Sequence, residues 1–213
     1  AGNPNCGKSA LFNAFTGIRQ KTGNWPGVTV ERKEGRLELD RREIRVIDLP
    51  GIYSLDAGSL DERVTRDYLL SRDADLIVNV VDASNLERNL YLTVQLLEMG
   101  VPLILALNMM DVARKRGIEL DPALLARELG CPAVPVVAVT GEGLETLKQE
   151  IQGVLDGAHR GGFQMTHEDS VEQAITDLEP ALVRAAAPIN SRWLALKLLE
   201  GDPAAVALAG EEA

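Results

Sequence analysis

Residues 2–9 have the sequence GNPNCGKS. It matches the pattern GxxxxGK(S/T) at every fixed position, and residues 10–15, ALFNAF, continue it with the spacing of an amphipathic helix. The glycines let backbone N–H groups converge on phosphate oxygens, and the start of the helix adds its dipole. Because Lys8 is a cation in the first helical turn, we expect an anion beside it. The alternative is a glycine-containing turn before an ordinary helix, but the full match predicts a phosphate-binding loop, with the Ser9 hydroxyl on Mg²⁺.

The rest of the chain up to Gly157 alternates between two patterns. Short apolar segments typical of buried parallel strands occupy residues 43–48, 75–81, 101–107 and 133–139. Segments with apolar residues three or four apart occupy residues 61–71, 85–99, 121–129 and 144–155. This alternation predicts an α/β domain with a mostly parallel sheet and helices on both faces. Residues 36–40 alternate in polarity directly before residues 43–48, which predicts an antiparallel hairpin at the sheet edge. A phosphate loop normally follows a strand, so we also expect a strand before it.

The character of the sequence changes after Gly157. Residues 159–165, HRGGFQM, are typical of a linker, and from Glu168 onward the chain is rich in alanine and helical in period. Residues 191–199, SRWLALKLL, carry an apolar stripe, and Gly201 with Pro203 ends that helix. We therefore predict a first domain over residues 1–157 and a small all-helical domain over residues 158–213.

Composition limits the function classes. The 213 residues have 46% hydrophobic and 25% charged side chains, as in a globular protein that is soluble. The net charge of −10 argues against nucleic acid as a partner, because phosphate backbones are bound through clustered cations. No apolar run approaches the roughly 18 residues that cross a bilayer, and no signal segment is present. Two lone cysteines and two separated histidines predict neither a disulfide framework nor a zinc site.

Two further motifs follow strands that should end at the same sheet edge. Asp48-Leu49-Pro50-Gly51 ends the segment 43–48, where an open α/β sheet binds ligands. There Asp48 can hold Mg²⁺ through water, and the Gly51 N–H can reach a terminal phosphate. Read alone, this motif is a turn after a strand, but its place after a phosphate loop favours the functional interpretation.

The motif Asn108-Met109-Met110-Asp111 closes the segment 101–107. A carboxylate at Asp111 can accept two hydrogen bonds, from the ring N–H and the exocyclic amine of guanine, whereas adenine offers no such pair. This favours a guanine nucleotide over an ATP-using protein. Taken alone, Asp111 could equally be a helix cap.

The order GNPNCGKS, DLPG, NMMD resembles the translation-factor-related GTPases. Residues 20–33, QKTGNWPGVTVERK, together with DLPGIYSL and VVDASNLERNLYLT, are similar to the cytosolic N-terminal domain of the ferrous iron transport protein B family. The resemblance extends to the tail, at NSRWLALKLLEGD. It implies a P-loop GTPase fold that binds GTP/GDP and acts as a hydrolysing switch for a membrane ferrous iron transporter. That transporter portion would belong to the same polypeptide, at the cytoplasmic face of the bacterial inner membrane.

Other functions share these motifs. GTPases of ribosome assembly or tRNA modification are the main alternative, but they usually carry a basic appendage, and this tail is not basic. A regulatory binding module with very slow hydrolysis is a second alternative. Self-association is left open.

The resemblance also assigns roles by matching position. Thr29 would reach Mg²⁺ and the terminal phosphate when GTP is bound. The catalytic residues would be Asn5, Lys8, Thr29 and Gly51, and the Mg²⁺ ligands Ser9, Thr29 and Asp48. Nucleotide contacts would come from Asn3, Asn5, Cys6, Gly7, Lys8, Ser9, Ala10, Gly27, Val28, Thr29, Asp48, Gly51, Asn108, Met109, Asp111, Ala138, Val139 and Thr140. Trp25 would lie in a mobile switch loop, with a core anchor as the alternative.

Ile52 stands where Ras-like proteins have the glutamine that orients water, and it cannot do so. In related GTPases a potassium ion assists instead, and the resemblance gives K⁺ the side chain of Asn5 and the carbonyls of Gly23 and Trp25. Glu62 is a weak candidate for orienting the attacking water, and a position on a solvated helix face is the favoured interpretation. Arg32 and Arg19 are alternative sources of positive charge.

Two positions depart from the common GTPase pattern. Met109 replaces the lysine of NKxD, which predicts modest guanine affinity. Ala138 replaces a serine that supports the base-recognising loop, which predicts fast nucleotide exchange.

Overall fold

The computed structural model describes residues 1–17, 20–40, 42–56, 58–71, 73–158, 163–186 and 190–210. Arg19 therefore lies outside the described residues. The strands are β1 (Gln20–Asn24), β2 (Glu31–Leu39), β3 (Arg42–Asp48), β4 (Ile77–Asp82), β5 (Leu103–Asn108) and β6 (Ala133–Pro135). The helices are α1 (Lys8–Thr16), α2 (Leu60–Ser71), α3 (Leu86–Glu98), α4 (Met110–Lys115), α5 (Pro122–Leu129), α6 (Leu144–Leu155), α7 (Asp169–Ala186), α8 (Ser191–Leu199) and α9 (Pro203–Gly210).

A parallel sheet in the order β4-β5-β6 forms the centre of the first domain. All six residues of β5 are buried, as expected of a strand covered on both faces. Leu103, Leu105 and Leu107 pack into the same apolar cluster as α3, whereas Ile104 and Ala106 pack with α1 and α6 on the opposite face. The expected α/β architecture with helices on both faces is confirmed. The segment 133–139 is extended only as far as Pro135, because the chain then turns and Val137 N donates to Glu142 O at 2.9 Å.

A second, antiparallel sheet has the order β1-β2-β3. The predicted hairpin of β2 and β3 is present, with Leu37 opposite Ile44, but β2 begins earlier, at Glu31. The prediction of a buried parallel strand over residues 43–48 is wrong, because β3 pairs antiparallel with β2 and all of its residues are exposed or half-buried. Strand β1 is not among the strands predicted from the sequence. It pairs with β2 from Gln20 opposite Gly35 to Asn24 opposite Glu31. The backbone ladder makes this strand, because four of the five side chains of β1 are exposed.

The phosphate loop begins beside β4. Val80 N donates to Ala1 O at 3.0 Å, and Gly2 forms a parallel bridge with Val80. A cavity of about 440 Å³ lies between β3 and β4, lined also by apolar side chains of α1.

Helices α7, α8 and α9 follow, and they pack against the first domain. Trp193 and Leu194 of α8 are buried in the same apolar cluster as Leu96 of α3 and Met99. The helix predicted over residues 191–199 is confirmed. Residues 159–162 of the predicted linker lie outside the described residues. No helix in the described ranges is long and apolar enough to cross a bilayer.

Polar contacts join the helical tail to the segment after β3. Arg66 of α2 pairs with Asp202 at 2.8 Å, and both side chains are largely buried. Lys197 of α8, itself buried, lies 3.9 Å from the Asp56 carboxylate. Gln95 of α3 accepts a hydrogen bond from Leu55 N at 2.8 Å and donates to Asp56 at 3.2 Å. Asp56 is therefore the point at which this segment, α3 and α8 meet.

Candidate functional site

The loop over residues 2–9 has the backbone of an anion cradle. Gly2, Asn5 and Gly7 all have positive φ, at 140°, 64° and 91°. The Lys8 ammonium folds back to Asn3 O at 3.3 Å, and Cys6 N also points to that oxygen at 3.4 Å. The first turn of α1 contains no acidic residue. The positive end of the helix dipole and the Lys8 ammonium are therefore both available to bind an anion.

Two residues of the loop are constrained by their neighbours. A Cβ on Gly7 would collide with Asn108 Nδ2, so the loop and the end of β5 are in close contact. Burial raises the pKa of the Cys6 thiol, and Lys8 opposes this shift only in part. Cys6 is therefore a neutral thiol packed under the loop, not a reactive thiolate.

Asn108 connects the phosphate loop to the loop after β6. Its buried side chain donates from Nδ2 to Cys6 O at 2.9 Å and accepts at Oδ1 from Ala138 N at 3.0 Å. The amide nitrogen and the amide oxygen thus each make one hydrogen bond within the protein, and each keeps one further donor or acceptor position. Asn108 holds together the loops that would bind the phosphates and the base.

The residues expected at the base lie around that bridge. Met109 has φ 61° and precedes α4, so Asp111 lies in the first helical turn. Its half-exposed carboxylate has Lys115 at 3.8 Å and otherwise opens to solvent. Val139 is 81% exposed, between Ala138 and Thr140, which is a large exposed fraction for an apolar side chain. The carboxylate and an apolar surface are both available to a planar polar ring.

Gly51 lies directly against the phosphate loop. A Cβ there would be 2.9 Å from Lys8 Nζ and 3.1 Å from Pro4 Cα. The next residue, Ile52, donates its N–H to Gly2 O at 3.4 Å, and its side chain is buried in the apolar core. Ile52 therefore faces away from the loop, in keeping with its inability to orient water. Asp48 ends β3 just before this segment.

Trp25 is buried, which favours the core anchor over the mobile loop. Its ring makes an edge contact with Tyr68 at 5.1 Å, and the Arg32 guanidinium lies 4.8 Å from its centroid. The turn after it is closed by hydrogen bonds from Trp25 N to Val30 O and from Val28 N to Trp25 O. Gly23 is exposed within β1, and Gly27 and Thr29 are exposed in this turn. Within the described residues, no hydrogen bond joins Thr29 to Ser9.

Sequence reasoning missed Gln95 and Arg88 and did not predict the role of Glu62. Glu62 forms a capping box with Ser59, accepting from Ser59 N at 3.0 Å while Ser59 Oγ accepts from Glu62 N at 3.2 Å. Gln95 binds the backbone of the segment after Gly51, and Arg88 lies over the ring of Tyr53. Gln95 could have been noticed as a polar residue between Leu92 and Leu96 on an apolar helix face. Within the described ranges, no group of three or more His, Cys, Asp or Glu is placed to hold a metal.

Comparison with known proteins gives consistent matches along the chain. The sequence model of the family described as ferrous iron transport protein B matches residues 1–151, and that of the FeoB cytosolic helical domain matches residues 167–213. The Fe(2+) transporter FeoB of Salmonella typhimurium is 48% identical over 221 residues, and the match covers all of this chain. The chain spans 28% of that relative's length.

Solved structures of FeoB cytosolic domains superimpose over almost all of the chain. The T. maritima domain in apo form has a TM-score of 0.92 at 44% identity, covering 99% of this chain and 83% of its own. The same domain in GMPPNP form gives the same values. An S. thermophilus NFeoB mutant bound to GDP has a TM-score of 0.86 at 42% identity, covering 97% of this chain and 80% of its own.

Proposed function

The chain belongs to the ferrous iron transport protein B family, and from this premise we propose that it binds GTP and hydrolyses it to GDP and phosphate. The observation that carries the proposal is that three motifs are in contact around the phosphate loop. Gly51 lies against Lys8, and Asn108 joins the Cys6 carbonyl to the Ala138 amide. In the whole protein we propose that this domain is the cytoplasmic switch of a membrane ferrous iron transporter.

We assign the steps of hydrolysis to positioning and charge neutralisation. Lys8 and the loop N–H groups bind the phosphates, and the Gly51 N–H holds the terminal phosphoryl group in line with the attacking water. Asp111 selects guanine. Met109 and Val139 cover the base with apolar surface. The division into residues 1–157 and 158–213 is supported by the two family ranges, 1–151 and 167–213.

Magnesium fits the donors at this site. Ser9 is exposed at the start of α1, and Asp48 ends β3. A hydroxyl and a single carboxylate are the few oxygen donors that Mg²⁺ takes when phosphates and waters complete its shell. Thr29 is the third Mg²⁺ ligand that we propose for the GTP-bound state. When bound, Mg²⁺ offsets phosphate charge.

Competition between nucleotides tests the base and the reaction together. GTP and GDP should displace a fluorescent GDP analogue, and ATP should not. A single-turnover assay should then release phosphate from bound GTP. Equal displacement by ATP would remove the guanine assignment, and bound GTP that stays intact would leave only a binding module.

Alanine substitutions at Lys8 and Thr29 should have different effects on the affinities for GDP and GTP. Lys8→Ala should weaken GDP and GTP together, because its ammonium lies in the loop that contacts phosphates common to both. Thr29→Ala should leave GDP affinity nearly unchanged and slow hydrolysis, because its hydroxyl is expected at the terminal phosphate only. Titration with both nucleotides measures the difference, and equal losses on Thr29→Ala would remove it from the switch role.

Potassium should accelerate hydrolysis more than sodium. Asn5 is exposed on the loop, and a cage of neutral oxygens suits the larger, more weakly hydrated ion. Asn5→Ala should abolish the difference between the two salts while GDP binding survives. Because Asn5 has φ 64°, Asn5→Gly is the matched control: it also lacks the amide but suits this backbone.

Both Asn5 variants should therefore lose the potassium effect. Turnover is compared in potassium and sodium salts at matched ionic strength. Identical turnover of the parent protein in the two salts would contradict the potassium site.

A further inference from the structure

Arg88 and Tyr53 form a stacked pair on the surface beside the phosphate loop. The Arg88 guanidinium carbon lies 4.2 Å from the centroid of the Tyr53 ring. Arg88 belongs to the first turn of α3, and Tyr53 is the second residue after Gly51. In the part of the chain that the structure describes, Arg88 has no carboxylate partner within ion-pair distance. The Arg88 guanidinium therefore contacts the aromatic ring of Tyr53 and not a carboxylate.

Both members of the pair are also tied to the phosphate loop. Asn3, which is buried in that loop, donates from Nδ2 to Arg88 O at 3.4 Å. Ile52, the residue before Tyr53, donates its backbone N–H to Gly2 O of the phosphate loop at 3.4 Å. The phosphate loop thus contacts α3, α3 contacts Tyr53 through Arg88, and the residue before Tyr53 contacts the phosphate loop.

Gly51 directly precedes Ile52 and Tyr53, the two residues that make these contacts. In the present conformation its backbone is already against Lys8 and Pro4, where a terminal phosphate would be contacted. Tyr53 is 40% exposed, so core packing alone does not fix its position. Among the described residues, the stack on Arg88 is the directional contact that Tyr53 makes, because a guanidinium over an aromatic face is attracted by the ring quadrupole.

We propose that Arg88 and Tyr53 are positioning residues for GTP hydrolysis, which hold Gly51 against the phosphate loop so that its N–H meets the terminal phosphate. This inference rests on the proposed GTPase function. It assigns neither residue a contact with nucleotide. Their effect should appear with a nucleotide that has the terminal phosphate and be absent with GDP.

Four single variants and one double variant test the pair by single-turnover hydrolysis. Arg88→Ala and Tyr53→Ala should each slow the reaction by about 2- to 5-fold, the range that an exposed contact of this type supports. Tyr53→Phe keeps the ring and should retain the parent rate, and Arg88→Lys keeps the cation and should fall between. The double variant Tyr53→Ala/Arg88→Ala should be no slower than either single change, because both remove one contact.

The second readout is affinity. GDP should bind all four variants as it binds the parent, whereas a non-hydrolysable GTP analogue should bind the two alanine variants more weakly. Tyr91→Ala is the matched control, because Tyr91 is exposed on the same helix, one turn further along, and should change nothing. A general loss of structure would lower GDP affinity as well.

Two failures are distinguishable. A parent protein that does not hydrolyse GTP contradicts the proposed function itself. A parent that hydrolyses GTP while both alanine variants keep its rate overturns the role of the stack, as would additive effects in the double variant or faster turnover in either single variant.

Discussion

Asp111→Asn should reduce GTP affinity by the equivalent of about 2 to 4 kcal/mol, the cost of opposing donors in a buried polar contact. The carboxylate at the start of α4 accepts two donors of guanine, and an amide presents a donor to one of them. Xanthine carries an oxygen at the matching position, so the variant should gain affinity for xanthosine triphosphate. Displacement of a fluorescent GDP analogue measures both changes.

The loss cannot be ascribed to the ion pair with Lys115. That pair is 3.8 Å long and lies at the surface, where such contacts contribute little. Asp121→Asn is the matched control, because Asp121 caps the next helix through its side-chain oxygen and asparagine caps equally well. If Asp111→Asn binds GTP as tightly as the parent does, the assignment of base recognition is wrong.

Asn108→Ala should lower both the thermal stability of the protein and its affinity for GDP. The change leaves Cys6 O and Ala138 N buried without partners, at about 1 to 3 kcal/mol for each unpaired group. The loops that they belong to would then separate, so GDP affinity should fall by about 10- to 100-fold, which corresponds to roughly 1.4 to 2.7 kcal/mol. Thermal unfolding and GDP titration give the two values.

Asn108→Asp separates the two halves of this bridge. It keeps an acceptor for Ala138 N but places a second oxygen against Cys6 O, so the contact with the phosphate loop should be lost selectively. GDP affinity should fall in this variant too. Parent-like melting temperature and GDP affinity in Asn108→Ala would show that the bridge contributes nothing.

The phosphate loop and the parallel sheet could be predicted because their signals are local. A contiguous motif specifies the loop, and each buried strand is a continuous apolar run. The role of Asn108 could not be predicted, since its partners at Cys6 and Ala138 are 102 and 30 residues away in sequence. Only the fold brings the three together.

The segment around Trp25 shows a second limit. Strand β1 is polar and contains glycine, so its side chains indicate a loop, yet its backbone hydrogen bonds with β2 make it a strand. The burial of Trp25 depends on Tyr68 and Arg32, which belong to other elements. Aromatic residues in glycine-rich segments carry no local signal that separates these outcomes.

The meeting of three elements at Asp56 has a thermodynamic consequence. Gln95 and Lys197 both approach this carboxylate, so the free energy of docking α8 on the first domain includes a contribution from the segment after Gly51. A ligand that binds better when Asp56 has moved away from Gln95 and Lys197 would bind at the cost of these two contacts. By reciprocity, a second ligand that stabilises the two contacts would lower the affinity for the first ligand by the same factor by which the first lowers the affinity for the second.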